Sequence, residues 1–269
     1  MDVKYLIADS GGSSTCWTLV YENNETTFFQ TRSLHPKYAF TEKAEILEEL
    51  QKTFKGLHVP LYFYGAGCAS GLVQEEMESF LLQVGFSRVE VQPDTLAACR
   101  ALYGKQPGWL GILGTGSILV HYDGNRIIDR IGGYGSLIGD EGSGFYFGKL
   151  LVRFLLDSPE WETSWIELFE SKPSVLSKLA SADAQKWIAD LARQTAHLPL
   201  DFLHRKNAEL FLERYVLNIP DPGQIAFIGT YGFEQRAIFE EVFKNQGITI
   251  VKCLPSPMAD LLRFHLTND

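Results

Sequence analysis

The chain has 269 residues, 45% of them apolar and 21% charged, with 24 Lys+Arg against 33 Asp+Glu and a formal net charge of -9. This length suits one large domain or two of ordinary size, and the apolar share excludes intrinsic disorder. No apolar run approaches the ~18 residues of a membrane span, and the acidic balance argues against sequence-independent binding of nucleic acid.

Tyr5-Leu6-Ile7-Ala8 is a short apolar run that ends at Asp9. Thr15 to Tyr21 follows, then the turn Glu22-Asn23-Asn24-Glu25, then Thr26 to Phe29, which is the pattern of an antiparallel meander. Ala44, Leu47, Leu50 and Phe54 give Glu42 to Phe54 a helical period. Leu61 to Tyr64 reads as a strand closed by Gly65-Ala66-Gly67, Gln74 to Val84 as a helix, and Val89 to Val91 as a strand with Asp94 at its end. The pattern then recurs. Trp109 to Leu113 is a strand, Gly114-Thr115-Gly116-Ser117 a tight turn, Ile118 to Tyr122 a strand and Asp123-Gly124-Asn125 a hairpin turn. Laid over the start of the chain, Gly116-Ser117 falls on Gly12-Ser13. Pro159 to Asp221 holds none of the 24 glycines and reads as helix. Ile225 to Ile228 is a strand ending at Gly229-Thr230, followed by a helix from Glu234 to Asn245 and a strand from Ile248 to Lys252. Two strand–glycine hairpin–strand openings suggest a duplicated α/β unit.

The start, Met1-Asp2-Val3-Lys4-Tyr5, lacks the regions of a signal peptide, so a cytoplasmic protein is expected. Cys16, Cys68, Cys99 and Cys253 are scattered without a CxxC, which indicates neither zinc nor a disulfide framework. Asp9-Ser10-Gly11-Gly12-Ser13-Ser14 can bring backbone N–H groups and a hydroxyl to an anion, with Asp9 holding hydrated Mg²⁺; it also reads as an ordinary β-turn. Gly114-Thr115-Gly116-Ser117 has the same two readings, and the pair could clamp a polyphosphate. Asp94 at a strand end could take a proton from an attacking hydroxyl, or simply cap the helix that follows. Gly132 to Gly144, with Asp140 and Glu141, reads as a substrate loop more than a linker. Gly229-Thr230-Tyr231-Gly232 could receive an adenosine or be a plain strand–helix turn. Arg32, Arg126 and Arg130 are expected to be solvated.

Asp9-Ser10-Gly11-Gly12-Ser13, Asp94, Gly114-Thr115-Gly116-Ser117, Gly133-Tyr134-Gly135, Gly139-Asp140-Glu141-Gly142-Ser143 and Gly229-Thr230 occur in the order seen in N-acetylglucosamine kinases. The chain resembles the BadF/BadG/BcrA/BcrD-type ATPase group that includes them, within the actin, sugar kinase and Hsp70 superfamily. The likeness spans nearly the whole chain and is weakest from Pro159 to Pro222. GDEGS with an upstream GTGS is its specific part; DxGGS alone is not. It implies an α/β chain of two ribonuclease H-like domains with an interdomain cleft. The domains would be residues 1–106, with a helix over 257–269 packing back on them, and residues 107–256.

The resemblance further implies ATP and Mg²⁺ as cofactors and a small sugar as substrate, N-acetylglucosamine by default. Ser13 and Thr115, with Gly11, Gly12, Gly114 and Gly116, would meet the phosphates; Asp9 would orient Mg²⁺; Gly229, Thr230 and Tyr231 would face the nucleoside. Asp94 would be the catalytic base. His35, Ser117, Gly133, Tyr134, Gly135, Asp140 and Glu141 would line the sugar. His35 and Ile118 stand where the family has asparagines, and Gln194 where it has a glycine near the adenine. A homodimer is compatible with the resemblance. Two other functions remain open: a degenerate sugar- or nucleotide-binding sensor, suggested by His35 and Ile118, and an ATPase activator of a reductase, for which Cys68 is the candidate cluster ligand.

Overall fold

The computed structural model describes residues 2–12, 14–161 and 163–268. It divides into two units, Met1–Gly104 with Pro257–Asp269, and Lys105–Ser256. The first holds β1 (Val3–Ser10), β2 (Ser14–Tyr21), β3 (Thr26–Arg32), α1 (Pro36–Thr41), α2 (Lys43–Thr53), β4 (Pro60–Gly65), α3 (Gly71–Leu82), β5 (Arg88–Pro93) and α4 (Asp94–Tyr103). The second holds β6 (Gly108–Leu113), β7 (Ser117–Tyr122), β8 (Ile127–Gly132) and α5 (Gly144–Asp157), then α6 (Thr163–Phe169), α7 (Lys172–Leu179), α8 (Ala184–Gln194) and α9 (Asp201–Arg214). It ends with β9 (Gln224–Ile228), α10 (Thr230–Glu234), α11 (Arg236–Lys244) and β10 (Thr249–Leu254); α12 (Met258–Asn268) belongs to the first unit.

Each unit is built on a five-stranded mixed sheet, ordered β3-β2-β1-β4-β5 in the first and β8-β7-β6-β9-β10 in the second. The first three strands form an antiparallel meander and the last two run parallel to its opening strand in both. The shared order is the duplicated α/β unit that the two glycine hairpins suggest. The glycine-free stretch is the helical block α6 to α9.

The sequence overlay of the hairpins needs a correction. In the first, Ser10 pairs with Thr15; in the second, Leu113 pairs with Ser117. The second loop is one residue shorter, so Ser117 corresponds to Thr15, and Gly116-Ser117 does not fall on Gly12-Ser13.

Burial follows strand position. β1 is central and enclosed on both faces from Tyr5 to Ala8, whereas β3 lies at the edge and is half-exposed. Trp17 on β2 anchors the first core, fully enclosed against Phe54 (centroids 4.6 Å apart) and Phe29 (6.2 Å). An indole so placed is worth about 3–5 kcal/mol against alanine. In the second core Phe227 of β9 meets Phe243 and Phe239 of α11 at 5.2 and 5.4 Å, edge to face. These two distances fall in the range where aromatic pairs add to simple burial. Arg32 is not simply solvated: it is half-buried and paired with Glu42 and Glu45.

Candidate functional site

The first unit gathers chemistry at the C-terminal ends of its parallel strands. Ser10 of β1 is in register with Gly65 of β4, and Gly65 with Pro93 of β5. Asp9 and Asp94 therefore stand at the same end of the sheet, with β4 separating their strands, where α/β folds place ligands. Burial, with Asp94 as second cause, raises the Asp9 carboxyl to about 6. Two carboxylates that feel each other without full solvation favour a proton or a cation nearby. Asp94 is not the N-cap that its Pro93-Asp94 setting suggests. Pro93 holds that position without a side-chain bond, and Asp94 is the first helical residue, its Oδ1 accepting from Thr95 N at 2.8 Å.

The first hairpin sits beside this pair. A side chain at Gly12 would meet no protein atom within 4 Å, and at Gly11 only Ser14 O at 3.9 Å. Neither glycine has positive φ. Conformation and packing thus leave glycine unexplained there. Ser13 lies outside the described residues. The hairpin is tied to the next loop: Leu34 N donates to Ser10 Oγ (3.0 Å) and Thr15 Oγ1 (3.1 Å), and Ser33 Oγ donates to Gly11 O at 2.7 Å. His35 follows, capping α1 through Nδ1, which accepts from Lys37 N at 3.2 Å. In the neutral ring this leaves the proton on Nε2, a donor lying 2.8 Å from where a Cβ on Gly67 would stand. Cys68 is enclosed, and burial followed by Asp94 pushes its thiol up to about 12, which suits packing better than cluster ligation.

The second unit repeats the scheme with different ties. A side chain at Gly114 would meet nothing within 4 Å. Thr115 is exposed, and among the described residues the N–H groups of Thr115 and Gly116 have no partner. The amides at the start of α5 do have partners: Gly144 N donates to Gly114 O (2.9 Å), Phe145 N to Thr115 O (3.2 Å) and Tyr146 N to Ser143 Oγ (3.1 Å). The helix terminus thus anchors the hairpin; Gly114 N donates within it to Gly116 O at 3.0 Å, which leaves the Thr115 and Gly116 amides open among the described residues.

Ser117 differs from its expected role. It is buried, its Oγ donates to Glu141 O at 2.6 Å and its N–H to Asp140 Oδ1 at 3.1 Å, so its hydroxyl secures the loop. This matches Thr15, at the equivalent hairpin position, which also holds the segment after its meander. Asp140 and Glu141 are both buried. Burial raises the Asp140 carboxyl against the pull of the Ser117 N–H. Glu141 is locked by the Tyr215 phenol, which donates to Oε2 at 2.5 Å, and by Arg214 at 3.3 Å from Oε1. Burial and the Glu141 carboxylate push the Tyr215 phenol up, so it remains the donor. Ile131, Tyr134, Ile138, Glu141, Arg214 and Tyr215 line a pocket of about 200 Å³. Gly133 packs on Ile118, whose Cδ1 is 2.9 Å from the place of a Cβ, and Gly133 and Gly135 flank the exposed Tyr134. Tyr134 and Glu141 thus meet in one pocket, which Ser117 supports from behind without lining it.

Gly229 is fixed by packing: its φ is 121°, and a Cβ would lie 2.5 Å from Leu113 O. Thr230 is exposed where α10 begins. The Tyr231 side chain does not face a nucleoside. It is buried in the core, its oxygen accepting from Asn207 Nδ2 at 3.0 Å and lying 2.9 Å from His204 Nδ1. Sequence reading passes over Asn207, His204, Tyr215 and Arg214, which lie in or just after α9 and whose partners are distant in the chain.

Among the described residues no helix is long and apolar enough to cross a membrane, and no three His, Cys, Asp or Glu side chains cluster to hold a metal. Mg²⁺ does not require such a cluster, because it is usually held by one or two carboxylates, water and substrate phosphate. The half-buried, electrostatically strained Asp9 fits that role.

A scan against protein-family models gives no match, and neither does a search of curated proteins. Solved structures do match. A candidate N-acetylglucosamine kinase from Porphyromonas gingivalis superposes with a TM-score of 0.83 at 29% identity, covering 98% of this chain and 99% of that one. Another from Chromobacterium violaceum gives 0.70 at 21% identity, covering 97% and 98%. A ROK family glucokinase from Streptomyces griseus, in complex with glucose and AMPPNP, gives 0.61 at 16% identity and covers 98% of each chain.

Proposed function

From the N-acetylglucosamine kinase-like fold of the actin and Hsp70 superfamily, which this chain has, we propose that it is an ATP-dependent sugar kinase acting on N-acetylglucosamine or a related amino sugar or hexose. The observation that carries this reading is the Asp9 and Asp94 pair at one end of the first sheet, where burial and then Asp94 raise the Asp9 carboxyl to about 6. One carboxylate is suited to a hydrated cation and the other to a proton. Supporting it are glycines that the fold itself does not require, at Gly11, Gly12 and Gly114, and the unpartnered amides of Thr115 and Gly116.

Within the second unit, Thr115 and Gly116 would meet phosphate, and Gly229 and Thr230 the nucleoside; within the first, the hairpin of Gly11 and Gly12 is suited to phosphate. Asp9 would hold Mg²⁺, which when bound would neutralise phosphate charge. Within the second unit, Asp140 and Tyr134 address the sugar. Asp94 accepts the proton of the attacking sugar hydroxyl. As that oxygen bonds to the γ-phosphorus, the bond from phosphorus to the bridging oxygen breaks and ADP departs. Such transfer depends on positioning and charge stabilisation more than on covalent chemistry.

The test is ADP release across a panel of amino sugars and hexoses. One sugar should support turnover, and Asp94→Asn should lower kcat by ~10²–10⁴-fold with sugar binding retained. Full turnover in Asp94→Asn overturns the base assignment, and sugar binding without ADP for any sugar would make the chain a binding protein.

A further inference from the structure

Asn207 stands on α9 with no exposed surface, and its side-chain amide makes three hydrogen bonds. Its Oδ1 accepts from Gly142 N at 2.8 Å, and its Nδ2 donates to Ser143 O at 2.9 Å and to the Tyr231 phenol at 3.0 Å. Both amide protons are used. Because the phenol already accepts one, its own proton goes to His204 Nδ1, 2.9 Å away. Burial lowers His204 to about 4, so the ring is neutral and Nδ1 can accept. Phe147 of α5 stacks on that ring at 4.0 Å with planes 5° apart, which fixes its orientation. Every donor and acceptor in the chain from Gly142 to His204 therefore has one assigned direction, and only a carboxamide at position 207 satisfies both ends.

The two ends are chemically distinct. One is the loop that carries Asp140 and Glu141. Its backbone is left-handed at Asp140 (φ 69°) and Gly142 (φ 85°), a conformation that local contacts alone hold poorly. Phe211, one helical turn after Asn207, lies so close that a Cβ on Gly142 would stand 2.7 Å from its own Cβ. The other end is α10, whose first residues follow Gly229. Resting on the kinase reading above, we propose that Asn207 is a positioning residue that sets the sugar-binding loop through Gly142 and Ser143 and couples it through Tyr231 to the nucleoside turn.

Asn207→Asp keeps the shape and removes both N–H donors, leaving the Ser143 carbonyl and the phenol oxygen facing a carboxyl group. Tyr231→Phe removes the link to the turn, together with the bond to His204, and leaves both Asn207 bonds to the loop in place. Amide hydrogen exchange on the intact protein, KM for the best wild-type sugar and AMPPNP affinity together test the proposal. Asn207→Asp should speed exchange at 140–143 at least tenfold, with β6 protected as in wild type, and raise the sugar KM at least tenfold with a smaller change in kcat. Tyr231→Phe should leave loop exchange and sugar KM within twofold of wild type and weaken AMPPNP at least threefold. Wild-type exchange or a wild-type sugar KM in Asn207→Asp overturns the positioning role. Unchanged AMPPNP affinity in Tyr231→Phe overturns the coupling. If wild type releases no ADP with any sugar, the kinase reading fails, while the exchange arm still decides whether Asn207 sets the loop.

Discussion

Asp9→Asn should make the protein more stable, and the size of the gain can be worked from the fold. The Asp9 carboxyl is raised from 3.8 to about 6, chiefly by burial and then by Asp94. A raised carboxyl means that the folded state binds a proton more tightly than the unfolded chain. Wild-type stability therefore falls as pH rises from about 4 to 6, and the deficit is complete above that window. At 1.36 kcal/mol for each tenfold change, the ceiling is about 3 kcal/mol. Water reaching part of the carboxylate makes the measured figure smaller. Asparagine is neutral throughout, so the variant should gain up to this amount at pH 7–8 and nothing at pH 4 and below. With roughly 2–4 °C per kcal/mol for a chain of this size, the midpoint at pH 8 should rise by several degrees. Urea unfolding of both proteins from pH 4 to 8 isolates the effect, since other titrating groups cancel in the difference. A pH-independent difference, or a variant less stable at pH 8, would refute the reasoning.

Thr115→Ala removes the hydroxyl proposed to meet phosphate and should weaken ATP by roughly 10–100-fold, the scale of one hydrogen bond to a charged group; nucleotide titration reads this directly, and equal affinity argues against the hairpin as a phosphate site. Gly142→Ala meets both a left-handed backbone and the Phe211 Cβ at 2.7 Å, so the second unit should lose about 2–4 kcal/mol in urea unfolding. Tyr215→Phe takes the phenol from buried Glu141 and should cost about 1–3 kcal/mol with a higher sugar KM; a silent variant would show that Arg214 alone holds the carboxylate.

The hairpins and strands were legible because period-2 runs broken by glycine are local signals, and the identical sheet order followed from their repetition. The one-residue difference in hairpin length was not, since Gly-Ser pairs align by identity while strand pairing counts residues. Asp94 and the Asp9 hairpin could be singled out from strand-end position. Ser117 could not be sorted from a ligand contact, because what decides it is the Glu141 carbonyl, 24 residues on. Asn207 carries no local signal: a polar residue inside a helix pattern reads as solvated until the loop amide 65 residues before it comes into view. Tyr231 misleads in the opposite way: its turn reads as able to receive an adenosine or as a plain strand–helix turn, whereas its ring is committed to the core.

The helix α12 follows the whole of the second unit yet completes the first. It packs against α4, where His265 Nε2 lies 2.9 Å from the Tyr64 phenol, and Arg100 donates to the same oxygen at 2.5 Å and stacks on Phe264. On a ribosome adding roughly 5–20 residues per second, domains ordinarily mature from the N-terminus onward. Here the first unit departs from that order, because Tyr64 and Arg100 meet their α12 partners only after the whole of the second unit has been synthesised. The half of the molecule that carries Asp9 and Asp94 is thus completed last, by the final helix to be synthesised.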